Sequence, residues 1–316
     1  MNDWVLGLDT SNYTTSVAVF DGRHGQNVGK LLDVPEGTLG LRQSDALFQH
    51  VKRLPQLFQT LTDQKELQTI RAVGASTRPR AVEGSYMPCF LAGTSQGQAL
   101  ACTLGVPFFA CSHQQGHLAA AAWSAGRMDL LDRPFLAWHL SGGTTELLYV
   151  EPDGYKVTAQ IIGGTSDISA GQLIDRTGVL LGLQFPAGKA LDRLYQENLS
   201  IKAFPVKLQG LQFSLSGMEN KVKAMLEAGE EPARVAGFVL DTVADVVVRA
   251  TREALETYPG LPVLCSGGVA SNSVLRRKMA EQCGALFAQP EFSTDNAMGV
   301  AILTHRALER GSRDES

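Results

Sequence analysis

Two stretches far apart in this chain follow the same plan, and that repetition limits what the chain can fold into more than any other feature. The first runs from Trp4-Val5-Leu6-Gly7-Leu8 through Asp9-Thr10-Ser11-Asn12 to Thr15-Ser16-Val17-Ala18-Val19-Phe20 and the turn Asp21-Gly22. The second runs from Pro134-Phe135-Leu136-Ala137-Trp138-His139-Leu140 through Ser141-Gly142-Gly143-Thr144 to Thr145-Glu146-Leu147-Leu148-Tyr149-Val150 and the turn Pro152-Asp153-Gly154. Each reads as two short strands around a tight turn rich in hydroxyls or glycine. Such a turn can offer backbone N–H groups and hydroxyls to a phosphate, which makes Asp9, Thr10 and Ser11 phosphate-turn candidates, with Asp9 beside a cation or a water. Taken singly, either stretch is also an ordinary hairpin.

A third glycine turn joins them. Pro262-Val263-Leu264-Cys265-Ser266 is a buried strand, followed by Gly267-Gly268-Val269-Ala270 and a helix start capped by Ser271 or Asn272. Glycines there let a nucleoside approach the backbone closely. Between these turns the chain alternates strand and helix. Leu39 to Thr62 reads as a helix bent or interrupted at Pro55, with His50 at the lobe surface, and Ala72 to Thr77 as a strand. Phe90 to Leu104 is a helix ended by Gly105, Val106 to Ala110 a strand, and Ile161 to Leu183 holds a helix with Asp167 and Asp175. Phe213 to Glu219 reads as a loop, and Pro232 to Thr257 as the longest helix, its stripe Val235, Val239, Val243, Val246 and Ala250 facing the core. This is an α/β pattern. Three such turns in this order describe a duplicated actin-like, sugar-kinase-like (ASKHA) fold of two lobes with a nucleotide cleft between them. The expected lobes are residues 1–130 and 131–316, linked by the charged stretch Arg127 to Arg133.

At 316 residues the chain is long enough for two cores. Its 28 Lys and Arg against 32 Asp and Glu give a net charge of -4, so no overall positive field draws a polyanion. Its five cysteines, odd in number and never in a CxxC pair, argue against a disulfide framework and a thiolate zinc site. With no signal-like start and no long apolar run, the expected location is cytoplasmic. The chemistry-bearing motif is Ser112-His113-Gln114-Gln115-Gly116-His117. On a helix begun at Ser112, His113 and His117 share one face and can share a metal ion. Asp295, in Ser293-Thr294-Asp295-Asn296-Ala297, is the best third ligand from the second lobe, projecting from the start of a helix. Alone, the pair is equally a solvated face or two core histidines, and Asp295 an N-cap. A zinc protease needs a glutamate beside the first histidine, and Gln114 stands there, unable to take a proton from water.

Taken together, Gly7-Leu8-Asp9-Thr10-Ser11, His113-x-x-Gly116-His117, Ser141-Gly142-Gly143-x-Thr145, Asp175, Pro186-Ala187-Gly188, Phe213-Ser214-x-Ser216-Gly217, Gly267-Gly268-Val269-Ala270-x-Asn272 and Thr294-Asp295-Asn296-Ala297 resemble the TsaD/Gcp/YgjD family over nearly the whole chain. Members are tRNA N6-adenosine threonylcarbamoyltransferases, formerly labelled O-sialoglycoprotein endopeptidases. The resemblance implies one divalent metal, Fe(2+) or Zn(2+), on His113, His117 and Asp295. It implies that Leu140, Ser141, Gly142, Gly143, Thr144, Asp175, Gly188 and Asn272 line the site for threonylcarbamoyl-AMP. The reaction it implies is acyl transfer to N6 of adenosine 37 of tRNA, helped by TsaB-like and TsaE-like partner proteins, with no membrane involved.

The chain departs from the family pattern chiefly at polar positions. The family's Cys-Asp-Glu after the first strand is Asn12-Tyr13-Thr14, and the glutamate of His-x-Glu-Gly-His is Gln115. Thr144 replaces a histidine, Glu146 a glutamine, Ile168 an aspartate, Gln172 a glutamate and Glu219 a lysine. The chain thus resembles a divergent paralogue. The alternative to a transferase is a non-catalytic nucleotide-binding member that pairs with and regulates an active homologue.

Overall fold

The computed structural model describes residues 4–11, 13–34, 41–62, 69–199 and 202–314. In chain order the elements are β1 (Trp4–Thr10), β2 (Thr14–Phe20), β3 (Gly25–Leu31), α1 (Gln43–Thr62), β4 (Ile70–Arg78), α2 (Phe90–Leu104), β5 (Phe108–Ser112) and α3 (His113–Ser124). Then come β6 (Phe135–Leu140), β7 (Thr145–Asp153), β8 (Lys156–Thr165), α4 (Ala170–Leu180), α5 (Gly188–Leu194), β9 (Leu208–Gln209), β10 (Gln212–Phe213) and α6 (Ser216–Glu227). The chain ends with α7 (Pro232–Thr257), β11 (Val263–Ser266), α8 (Ser273–Cys283), β12 (Leu286–Phe287) and α9 (Met298–Asp314). It forms two compact units: Met1–Asp132 with Glu151–Ala159 and Thr294–Ser316, and Arg133–Val150 with Gln160–Ser293.

The first unit holds a sheet of order β3-β2-β1-β4-β5, in which β1 runs antiparallel to β2 and parallel to β4. The sheet of the second unit has the order β12-β11-β6-β7-β8-β10-β9. Here β6 is antiparallel to β7 and parallel to β11. Taking β6, β7, β8, β11 and β12 as first to fifth reproduces the order of the first sheet, so the repeated strand-turn-strand is a repeated topology.

In β1, side chains alternate across the sheet. Leu6 and Leu8 join Leu54, Leu57 and Leu61 of α1 and Ala92 and Ala101 of α2 in one buried cluster. Gly7 faces the other way, onto α9, where a Cβ would lie 2.5 Å from the Ala301 nitrogen and 2.8 Å from the Ala297 oxygen. A Cβ on Gly74 of β4 would likewise collide with the Thr304 hydroxyl. Glycines in the sheet therefore let α9 lie directly on the strand backbones. The same device recurs one layer out, because a Cβ on Gly299 of α9 would overlap the carbonyl oxygen of Gly116 in α3. Helix α9 carries its own buried stripe of Val300, Ala301, Leu303, Thr304 and Ala307.

In the second unit the stripe of α7, Val235, Val239, Val243, Val246 and Ala250, is buried as its spacing predicts. Trp138 of β6 is fully buried and donates its indole N–H to Thr251 of α7 at 2.8 Å. Gly267, at φ +95, presses against Leu140, and Gly171 at the start of α4 against Ser141 and Gly142. Any side chain at Gly267 would meet both a disfavoured φ and the Leu140 backbone.

Several expectations need correction. The stretch 127–133 does hold the boundary between the units, but it is not irregular, since Met128–Asp132 is a 3-10 turn with Leu130 and Leu131 fully buried. His50 is fully buried rather than at a surface. Helix α1 starts at Gln43 and runs through Pro55, while Leu39 lies outside the described residues, as does Asn12. Asp167 precedes α4 instead of lying on it, and Ser216–Glu219 of the expected loop already belongs to α6. The segment carrying Asp295 packs with the first unit, not the second, because α9 closes over the glycines of β1 and β4.

The two crossing glycines differ sharply in what they tolerate. A Cβ on Gly116 meets only ordinary contacts, the nearest being Val300 Cγ2 at 3.5 Å. Urea unfolding should therefore show Gly116→Ala within about 1 kcal/mol of the parent, and Gly299→Ala destabilised by about 3 kcal/mol, at the upper end of overpacking costs.

Candidate metal centre

Helix α3 begins where the sequence places it. Ser112 is its N-cap, accepting from Gln115 N at 3.2 Å, and Gln115 Oε1 accepts from Ser112 N at 2.8 Å, a reciprocal capping box. Starting the helix at His113 puts His113 and His117 one turn apart on one face. Their rings meet edge to face, with centroids 4.3 Å apart.

Asp295 arrives from the segment before α9. The donors at the start of that helix are taken by other groups: Asn27 Oδ1 accepts from Ala297 N at 2.9 Å, and Asn296 Oδ1 accepts from Met298 N at 3.1 Å. Asp295 is thus no N-cap, and its carboxylate points to the histidines.

Three ligand atoms form a small triangle. His113 Nε2 and His117 Nε2 are 2.9 Å apart, His117 Nε2 and Asp295 Oδ1 3.2 Å, and His113 Nε2 and Asp295 Oδ1 3.4 Å. Ligands bonded at about 2.0–2.1 Å to one ion, at angles between square and tetrahedral, stand about 2.9–3.4 Å apart. Lone pairs this close repel unless positive charge lies among them. Among the described residues, His113, His117 and Asp295 are the group of three whose ligand atoms could hold a metal ion.

The surroundings reinforce the match. Asp9, fully buried, accepts from His113 Nδ1 at 3.0 Å, which turns Nε2 toward the triangle, and it also accepts from the Ser76 hydroxyl. Its other oxygen, Oδ2, is buried and has no hydrogen-bond partner among the described residues. A buried carboxylate with an orphan oxygen is costly unless a cation is near. Ser11 Oγ donates to Asp295 Oδ2 at 3.0 Å. Burial disfavours the His113 imidazolium, yet the negative charges of Asp9 and Asp295 outweigh it and hold the ring's pKa well above the usual histidine value. Burial likewise disfavours the Asp295 carboxylate, but hydrogen bonds and charge from His113 and His117 hold it well below the ordinary range. These groups favour positive charge in the triangle.

Of the phosphate-turn candidates, Asp9 and Ser11 bond members of the triad. Thr10 Oγ1 donates to Cys89 O and accepts from Gly93 N, so Asp9, Thr10 and Ser11 direct their side chains to protein partners. In the second unit, Gly142 and Asp175 line a cavity of about 630 Å³ with Gln172, Arg176, Val179, Leu180, Phe185, Glu219 and Lys223. Leu140 is buried at the end of β6, and Ser141 accepts from Gly143 N and Thr144 N at the turn. Gly188 opens α5, and Asn272 caps α8 while donating to Asp192 at 2.8 Å.

Two of the amide replacements have plain structural roles. Gln115 and Gln172 are the third residues of α3 and α4, each completing a capping box in which glutamate and glutamine serve alike. Gln115 adds a donor, to Val157 O at 2.7 Å, which a carboxylate could not supply. Glu219 pairs with Arg176 at 2.8 Å and Lys223 at 3.0 Å. The sequence alone places His50 at the surface and gives Ser76 no role, though both are fully buried. The one available signal was a polar residue ending the otherwise apolar run of β4, which when buried must find a partner.

The strand order 3-2-1-4-5, used once in each unit, is that of the actin-like fold. The TsaD family profile, described as tRNA N6-adenosine threonylcarbamoyltransferase, matches residues 39–302. A Thermus thermophilus protein of that name is 33% identical over 98% of this chain and 94% of its own length. The chain belongs to the TsaD family. Among solved structures, full-length HypF in its phosphate- and nucleotide-bound form has a TM-score of 0.61 at 13% identity, covering 96% of this chain and 56% of that one. The (R)-2-hydroxyglutaryl-CoA dehydratase component A of Acidaminococcus fermentans has a TM-score of 0.56 at 14% identity, covering 97% and 99%. Both share the fold. No helix among the described residues is long and apolar enough to cross a membrane.

The triad also sets a pH dependence. The raised folded-state value of His113 adds stability that is fully present below about pH 6.5 and lost as pH rises through that folded value. The depressed value of Asp295 adds stability present above about pH 4 and lost as pH falls through its folded value. Urea unfolding of chelator-treated protein should therefore need more urea at about pH 6 than at about pH 9, and His113→Ala should flatten that alkaline decline.

Proposed function

We propose that this chain is a transferase of its family's kind, moving the threonylcarbamoyl group of threonylcarbamoyl-AMP onto N6 of adenosine 37 of tRNA. What carries this is the triangle of His113, His117 and Asp295, in a chain of a family described by that transfer. These three residues would hold one divalent ion, Fe(2+) or Zn(2+). Bound there, the ion supplies positive charge that stabilises negative charge developing on a carbamoyl oxygen.

The chain's own residues do the rest. Asp9 and Ser11 keep the ligands in place. The second unit receives the donor's adenosine. Its cavity joins an apolar wall of Val179, Leu180 and Phe185 to the Asp175 carboxylate and the Gln172 amide, a pairing suited to a nucleoside's base and ribose. The Ser141-Gly142-Gly143-Thr144 turn, with Leu140 before it, and the Gly188 and Asn272 helix starts complete the donor-binding set. Support comes from HypF, a relative in fold whose structure is described as phosphate- and nucleotide-bound. In the transfer the adenine amine forms a bond to the carbamoyl carbon and loses a proton, the carbon–oxygen bond to phosphate breaks, and AMP leaves. No covalent enzyme intermediate is required. With a net charge of -4, the chain would rely on TsaB-like and TsaE-like partners for the positive surface that tRNA needs.

Threonylcarbamoyladenosine in the tRNA of a transferase-deficient strain tests this. The chain should restore it, and His113→Ala or Asp295→Ala should lower it on the order of 100-fold or more. Asp175→Asn should mainly raise the donor's KM, about tenfold. Soluble wild-type protein that yields no product contradicts the transferase and leaves the non-catalytic, nucleotide-binding partner in its place.

A further inference from the structure

We propose that the first strand's turn is the positioning device of the triad: Asp9 orients His113 and Ser11 orients Asp295, with His50 holding the turn from behind. This rests on the metal reading above.

The side chains of Asp9, Thr10 and Ser11 are buried and bonded to other parts of the protein. Asp9 and Ser11 are 0% and 2% exposed. Asp9 Oδ1 accepts a hydrogen bond from His113 Nδ1–H at 3.0 Å, so only the Nε2 lone pair of that ring is left for a cation. Ser11 Oγ donates to Asp295 Oδ2 at 3.0 Å, which leaves Oδ1 as the oxygen facing the two histidines.

His50 comes from α1 and makes two bonds whose direction is set by their partners. The Ser11 carbonyl can only accept, so His50 Nε2 donates to it at 2.8 Å. His50 Nδ1 then accepts from the Thr15 hydroxyl, also at 2.8 Å. The ring thus ties β2 to the turn as a neutral imidazole. Burial, the first cause of its lowered pKa, keeps it so. Thr10 is fixed in turn by Cys89 O and Gly93 N at the start of α2. A turn whose Asp9, Thr10 and Ser11 side chains each bond a protein partner is built to hold two ligands still. Carboxylates and hydroxyls placed behind ligands typically change metal affinity 10–100-fold when removed.

The test is zinc binding by chelator competition on the full chain, with 15N NMR of the His113 ring as a second readout. Wild-type protein should bind Zn(2+) with His113 protonated at Nδ1 and bare at Nε2. Asp9→Asn should weaken binding about tenfold, Asp9→Ala closer to 100-fold with loss of that ring signature, and Ser11→Ala several-fold. Ser76→Ala removes a different bond of the same carboxylate. It should lower thermal stability while leaving zinc affinity and the ring signature nearly unchanged. If Asp9→Ala fails to fold, Asp9→Asn and Ser11→Ala still decide. The inference is overturned if both bind zinc as tightly as wild type, or if Ser76→Ala weakens binding as much as Asp9→Asn does. Wild-type protein that takes up no zinc overturns the metal reading, and this inference with it.

Discussion

Backbone meets backbone where α3 crosses α9 at Gly116 and Gly299, and the triad depends on that meeting. With a side chain at Gly299, α9 would have to move away from the Gly116 carbonyl. Asp295, three residues before α9, would move with it. Glycines at Gly7 and Gly74 seat α9 on the sheet from the other side, so the helix is held between two layers at van der Waals distance. Ligand atoms from residues 178 positions apart in sequence therefore stand 3.2 Å apart, without any covalent link.

Electrostatics follows from this packing. Two carboxylates, Asp9 and Asp295, converge on His113 from opposite ring nitrogens, and each has an oxygen within 3.4 Å of that ring. Close-packed negative charge of this kind is stable only with compensating positive charge, supplied by a proton on His113 or by a cation among the ligands. The amides at Gln115 and Gln172 leave this untouched. Both complete helix caps, where an acceptor is required and a charge is not. Their neutrality changes the charge of the chain without changing where the helices start.

Much of this was legible in the sequence because it is local. Gly105 ends α2 in the left-handed region at φ 66, Ser112 caps α3, and the α7 stripe is buried, each set by residues within a few positions of one another. The repeated strand-turn-strand predicted the repeated sheet order, since a hairpin's register is carried by its own alternation. What could not be read was long-range. That Asp9 faces His113, that His50 is buried between Thr15 and Ser11, and that α9 returns to the first unit all depend on which glycine lies opposite which backbone. A glycine's sequence neighbours do not say what approaches it. For the same reason Asp167, expected on a helix, instead caps the turn from Ser214 to Ser216, taking the Leu215 and Ser216 amides.

X-ray absorption at the zinc edge of the loaded, full-length chain tests the central claim most directly, because it reports which atoms surround the ion. The convergence of His113, His117 and Asp295 predicts a shell of light atoms only, at about 2.0–2.1 Å, with outer scattering from two imidazoles. A sulfur shell at about 2.3 Å, or scattering from fewer than two imidazoles, would contradict it.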